Sequence, residues 1–272
     1  MYGITHVGKV RKENQDQFLI ALLHRRITVA LTSLSEAQRA ALSGDVRVGA
    51  FAMVADGVGG GEGGAEASAA ALGAVTEYVK QSSACFYRGD SAEEEFIDEL
   101  EAAANRAHTA ILATRQAAGR TGTMATTLTL WFGTWPRAYL LQVGDSRFYM
   151  LRGGQLRQVS RDQTMAQDLV DEGVLTRTAA FRTQFANVLS SALGSEVSMP
   201  VVTRLTQEWG TVGLLCSDGL TKHVSDEQIE QRLKQMTSAK QVCEQLLQDA
   251  LDGGGSDNIT IIVGRPVAKE PL

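Results

Sequence analysis

Residues 51–68, FAMVADGVGGGEGGAEAS, decide how the chain folds. The stretch opens as a buried strand on Phe51, Met53 and Val54 and closes as the first turn of an Ala-rich helix. Between them stand Asp56 and the glycines Gly57, Gly59, Gly60, Gly61, Gly63 and Gly64. Glycine loses more conformational entropy on ordering than any other residue, so a run this dense needs a cause. Close approach of the backbone to a ligand supplies one, and a carboxylate at a strand end beside backbone carbonyls suits a hard cation. A dinucleotide-binding turn is the rival, because Gly59, Gly61 and Gly64 fit G-x-G-x-x-G between a strand and a helix. Asp56 would meet a pyrophosphate with negative charge, and no second parallel strand ending in an acid follows Val79. Both points weigh against the dinucleotide.

Upstream, the glycine-punctuated segment GITHVGKVRKENQD precedes an apolar run from Phe18 to Leu23. Lys9, Lys12 and Glu13 read as scattered surface charge. Arg11 and Asp16 differ if the Phe18 strand lies beside the one ending at Asp56. An arginine fork could then grip a phosphate bidentately while Asp16 holds a metal or its water. ITVAL (27–31) predicts a further strand. Ser33 with Glu36 forms a capping-box signature for a helix over about residues 35–42, closed by Gly44. Residues 24–47 thus form an insertion arm, a surface elaboration without chemistry.

Downstream, Ala65–Lys80 has helix-forming composition, and a second helix over Ala92–Ala117 places Phe96, Leu100, Ala104, Ala107 and Ile111 on one face. A polar loop reaching Asp90 joins the two. The texture then changes to short β-branched and aromatic strands, TMATTLTLWF, RAYLLQVGDSRFYMLRGG and QLRQVS, paired antiparallel with a hairpin at Gly153-Gly154. Asp145 and Ser146 follow Gly144 at a strand end. Residues 163–198 hold one helix, AQDLVDEG, and a polar stretch of weak periodicity suited to a mobile flap. A strand near 201–205 precedes TVGLLCSDG, whose buried run delivers Asp218 to an Asp-Gly turn. Two helices, about 225–235 and 238–251, lead to GGGSDNITIIVG, which delivers Asp257 and Asn258 just before the last strand.

Composition bounds the function. The chain has 272 residues, is 44% hydrophobic and contains four prolines, with no Pro- or Ser-rich linker, so one domain over 1–272 is expected. A net charge of −5 gives no electrostatic footprint for nucleic acid or acidic lipid. Cys85, Cys216 and Cys243 are odd in number and lack metal-ligand spacing, which predicts a reducing compartment and thiols that fill the core. The opening MYGITHVGKVRKENQD is too polar for a signal peptide, and no apolar run approaches the roughly 20 residues of a membrane span. A soluble, cytoplasmic protein without membrane insertion is expected.

Asp56, Asp218 and Asp257 therefore share one setting, a Gly-flanked turn abutting an apolar strand. A single Asp-Gly is ordinarily only a turn. Gathered carboxylates repel unless protonated or neutralised, and divalent cations are the usual answer. All-oxygen ligation favours magnesium, manganese or calcium over zinc, and His6, His24, His108 and His223 are dispersed. A calcium-stabilised Gly/Asp repeat protein would need a short period that the chain lacks.

The order and wording of THVGKVRKENQD, VADGVGG, TMATTL, VGDSRFYMLRGGQL, NVLSSALG, LLCSDGL and GGSDNIT resemble the metal-dependent type 2C protein serine/threonine phosphatases (the PPM family), in their compact bacterial form. The resemblance implies an α+β fold, a four-layer αββα sandwich of two mostly antiparallel sheets flanked by helices. It implies hydrolysis of phosphoserine and phosphothreonine on proteins by a metal-activated water, opposing a bacterial Ser/Thr kinase, in a monomer. Two core ions, Mn2+ or Mg2+, and a weaker third are implied. Asp56 would bridge the core pair, the Gly57 carbonyl would complete the second ion, and Asp218 and Asp257 would hold the first. Asp16 would anchor metal-bound water, Arg11 would bind the substrate phosphate, and Asp145 would share the third ion. Asn258 is implied as an orienting neighbour. Three positions depart from the family: Val58 replaces a Met or His, Ala65 stands where a Glu is usual, and Asp162-Gln163-Thr164 replaces Asp-His-Ser/Thr.

Overall fold

Strand alternation sets the layers. In β3 (Gly44–Ala55), Phe51, Met53 and Ala55 alternate with Ala52 and Val54, and all five are buried because apolar material covers both faces. The computed structural model describes residues 1–59, 63–82, 92–180 and 183–267. Its first sheet runs in the order β10 (Val201–Thr206), β7 (Arg137–Val143), β6 (Leu128–Thr134), β3 and β2 (Gln17–Ile27). The second runs β1 (Tyr2–His6), β12 (Ile259–Gly264), β11 (Val212–Cys216), β8 (Arg147–Arg152) and β9 (Gln155–Gln158). A two-residue ladder joins β4 (Gly57–Val58) to β5 (Ala125–Thr126). Both five-stranded sheets are antiparallel throughout the described residues.

Helices close both outer faces. The long pair α2 (Gly63–Ser82) and α3 (Ala92–Ala117) packs on the first sheet, where Phe96, Leu100, Ala104, Ala107 and Ile111 of α3 meet Phe51, Phe132 and Leu141. On the second sheet lie α7 (Asp226–Lys234) and α8 (Ala239–Asp252), which bury Ile229, Leu233, Val242, Cys243 and Leu246 against Tyr149, Leu214 and Ile261. Between the sheets the core is thin: Ala52, Val54, Leu140, Phe148, Leu215 and Ile262. Several residues up β3 from Asp56 the sheets part around an apolar cleft of about 560 Å³, lined by Ile20, Leu22, Gly49, Trp131, Leu205 and Trp209 among others. This is the fold expected, α+β in four αββα layers. No helix among the described residues is long and apolar enough to cross a membrane.

Four local expectations need correction. The strand expected over ITVAL is absent: Ile27 pairs with Gly44 as the last rung of a β2–β3 hairpin, and Leu31 lies exposed beyond it with no strand opposite. That hairpin reaches past the sheet from a bulge at Leu23/His24 and carries α1 (Glu36–Leu42) near its tip. The cap of α1 is Ser35 with Gln38 rather than Ser33 with Glu36, a full capping box two residues further on. Asp218 does not end in a turn but begins a one-turn helix, α6 (Asp218–Thr221), with Ser217 at its N-cap. The fourth concerns the glycines. A Cβ on Gly57 would lie 2.4 Å from the Gly64 carbonyl oxygen and 2.7 Å from that of Gln15, so the chain's own backbone fills the space ascribed to a ligand. Gly60 and Gly61 lie outside the described residues, as do the loop to Asp90, with Cys85, and residues 181–182. Two further short helices, α4 (Met165–Asp171) and α5 (Arg177–Ala180), stand in the segment expected to form the flap.

Candidate metal and phosphate site

Two strand ends place the first carboxylates. Asp16 precedes β2 and Asp56 follows β3, and the Gln17↔Ala55 register sets them side by side. Asp56 is fixed through its backbone: its N–H donates to Thr127 Oγ1 (3.0 Å), and its carbonyl accepts from Thr127 N and Thr126 Oγ1 (2.9 Å each). Thr127 Oγ1 and Ser146 Oγ are 2.7 Å apart, which ties this end to the β7–β8 connection.

The second sheet supplies the other pair. A Cβ on Gly219 would fall 1.9 Å from the Asn258 carbonyl oxygen, so the start of α6 and the turn before β12 pack backbone to backbone. That contact brings Asp218 and Asp257 to one ammonium: Lys222 Nζ lies 2.6 Å from Asp218 Oδ2 and 2.7 Å from Asp257 Oδ2. Asp16 bridges the two sheets. Only 1% exposed, its Oδ2 accepts hydrogen bonds from Ser217 Oγ and Thr260 Oγ1, both at 2.7 Å. Asp145 lies where the chain crosses from β7 in one sheet to β8 in the other, after Gly144 at φ +98°.

The electrostatics are those of crowded negative charge. Burial, with repulsion from Asp218, pushes Asp16 up to about 6 despite its hydroxyl donors. Burial and then Asp16, Asp218, Asp145 and Asp257 push Asp56 well above the usual carboxylate range. Burial and Asp218 raise Asp145 to about 8. Burial acts on Asp257 in the same direction, but hydrogen bonds from Arg11 and Lys222 outweigh it and hold that carboxyl low. Asp16 Oδ1 and Asp218 Oδ1 are buried with no hydrogen-bond partner. No group of three or more carboxylates among the described residues stands ready-made around one point. The fit to divalent cations rests instead on the donor chemistry: hard oxygens, mutually repelling, two of them buried and bare.

Arg11 grips a carboxylate in this structure. Its Nε and one terminal nitrogen reach Asp257 Oδ1 and Oδ2 at 2.7 and 3.0 Å, while the guanidinium side remains over half exposed. Asn258 orients the N-terminal loop: it accepts from Gln15 N and donates to the Val7 and Glu13 carbonyls. Beside these residues opens a cleft of about 220 Å³, lined by Asp145, Asp162, Thr164, Arg177, Asp218 and Lys222, so the 163–198 segment forms one of its walls. The larger apolar cleft is lined by none of these carboxylates. Sequence reasoning missed Ser217, Thr260 and Lys222. The first two carry no local signature. Lys222 had one, its i+4 spacing from Asp218, legible only once α6 is read as helix. Burial pushes the Cys216 and Cys243 thiols up to about 12, as expected of core filler.

Residues 38–253 match the family model described as protein phosphatase 2C; Arg11, Asp16 and Asp257 fall outside that range. The chain is 37% identical over 169 residues to the serine/threonine protein phosphatase PstP of Mycobacterium tuberculosis, which covers 62% of the chain and 33% of that relative. The chain thus spans about a third of the mycobacterial relative's length. It is 30% identical over 213 residues to the serine/threonine phosphatase stp of Listeria welshimeri, covering 78% of the chain and 82% of the relative. A crystal structure of the PstP catalytic domain in complex with two manganese ions superposes with a TM-score of 0.75 at 30% identity, covering 98% and 97% of the two chains. With the family model spanning most of its length, and a fold to match, the chain belongs to the protein phosphatase 2C family.

Proposed function

We propose that this protein hydrolyses phosphoserine and phosphothreonine on proteins, supported by two core divalent cations, Mn2+ or Mg2+. The observation that carries the reading is the meeting of Asp16 and Asp56 from one sheet with Asp218 and Asp257 from the other, with two bare buried oxygens between them. Asp56 and the Gly57 carbonyl, with Asp218 and Asp257, would hold the ions. Such ions supply Lewis acidity and a water ionised near neutral pH. Asp16, anchored by Ser217 and Thr260, positions that water by accepting its hydrogen bond on Oδ1. Arg11 must let go of Asp257 to serve, and its fork then matches two phosphate oxygens as it now matches two carboxylate oxygens. Asp145, which burial and Asp218 push up to about 8 in the ion-free protein, is suited to deliver the proton that the leaving oxygen needs. No imidazole stands at Val58 to take that task.

The related bacterial serine/threonine phosphatases support a substrate class of phosphorylated proteins; opposition to a Ser/Thr kinase is part of the proposal. A cytoplasmic monomer, with the 24–47 arm as an elaboration outside the ion site, completes the proposal. The test is phosphate release from p-nitrophenyl phosphate and a phosphothreonine peptide, with Mn2+ and with EDTA. Turnover of both substrates that EDTA abolishes is expected; metal-independent turnover overturns the proposal.

A further inference from the structure

Lys222 is the residue at this site that none of the roles above uses. It stands one helical turn after Asp218, on the far end of α6, so its side chain folds back along the helix toward the carboxylates. Two of its three ammonium hydrogens go to Asp218 Oδ2 and Asp257 Oδ2, at 2.6 and 2.7 Å. It lines the same cleft as Asp145, Asp162 and Thr164, and its charge acts on Asp145. The other oxygen of Asp218, Oδ1, is buried and bare, so the carboxylate has two unlike faces. One is open to a cation; the other is already capped by one.

We infer that Lys222 is a resident monovalent cation which occupies the gap beside Asp145 and Asp218, so that no third divalent ion binds there and the site takes two. The inference rests on the two-ion reading of Asp56, Asp218 and Asp257 given above. A third ion would need Asp145 and Asp218 as its carboxylates, and Lys222, which lines one cleft with both, already holds Asp218 Oδ2. An ammonium and a divalent cation compete for the same lone pairs and repel each other at that distance. The third hydrogen of Nζ has no partner among the described residues, which leaves one donor to face a phosphate or leaving-group oxygen in the cleft. Lys222 is in this sense a positioning residue built into the chain, present at every metal concentration.

Manganese stoichiometry is the deciding measurement, made by calorimetry and by electron paramagnetic resonance of free Mn2+ on the full chain. Wild type is expected to bind two ions with no weaker third. Lys222→Asp, which swaps the ammonium for a ligand, should gain a third, weak ion. Lys222→Met, which removes the charge but keeps the length, should bind its ions several-fold more tightly. A third ion in wild type overturns the inference, as does tightness unchanged or reduced in Lys222→Met. Should Lys222→Asp fail to fold, the wild-type stoichiometry and Lys222→Met suffice to uphold or overturn it. Asp56→Asn separates the two levels. If it binds manganese as wild type does, the two-ion reading itself falls and the Lys222 role with it. If Asp56→Asn loses the ions while both Lys222 variants behave as wild type, only the Lys222 role is wrong.

Discussion

At the scale of single residues, Asp56 is a carboxylate kept against its own stability. Its surroundings favour the neutral form, so a neutral isostere relieves repulsion in the ion-free protein. Asp56→Asn should therefore raise the melting temperature of the EDTA-treated protein at pH 8 while abolishing manganese-dependent hydrolysis. A structural aspartate would lose stability instead, and calorimetry tells the two apart. Arg11→Ala removes the fork proposed for phosphate, and KM for a phosphothreonine peptide should rise about tenfold, the size of one charge-assisted contact. Manganese affinity should not weaken, because the change removes a competing cation from Asp257. Unchanged KM would make Arg11 a partner of Asp257 and nothing more. Asp56, Asp145 and Asp218 were legible in the sequence because each follows an apolar strand and stands beside glycine, and Asp257 because it lies in a glycine-rich turn just before one. Ser217, Thr260 and Lys222 were not, because what makes them matter is a neighbour 201, 244 or 35 positions away.

At the scale of elements, the junction of α6 with the turn before β12 is the least tolerant place in the fold. The 1.9 Å that a Cβ on Gly219 would leave to the Asn258 carbonyl demands backbone movement. Gly219→Ala should cost about 1–3 kcal/mol of stability, the range for overpacking a closed interior, and should weaken manganese binding with it. Urea unfolding with and without Mn2+ measures both. An equally stable variant would show that the junction yields. This junction also marks where legibility ended among the elements. The strands of both sheets, β1 excepted, and the buried face of α3 follow from alternation and 3.6-residue spacing. α6 does not, since Asp-Gly after a strand signals a turn and one helical turn is too short to show a period. The arm misled for a similar reason: Ile27–Leu31 has strand composition but no strand to pair with beyond Gly44.

At the scale of the whole molecule, the ion-free protein should be more stable in mild acid than at neutrality. Asp16 at about 6, Asp145 at about 8 and Asp56, also raised, keep protons that the unfolded chain releases near pH 4. Between about pH 4 and 8 the native state thus binds more protons than the unfolded one, and stability falls as pH rises through that window. Asp257, held low, acts the opposite way and only below about pH 4. The melting temperature in EDTA should drop from pH 5 to pH 8, and saturating Mn2+ should flatten the profile by replacing protons with metal charge. A flat profile in EDTA would mean the carboxylates are better solvated than their burial implies. A mechanical corollary follows from where the charges come from. Asp16 and Asp56 hang from one slab and Asp218 and Asp257 from the other, while at the opposite end the slabs gape around the Trp131–Trp209 cleft. The proposed ions would then be a clasp as well as a catalyst, and unfastening it should loosen the hinge side too. Amide deuterium uptake along Gly49–Ala52 and Leu205–Gln207, away from the aspartates of the ion site, should quicken when the metal is stripped.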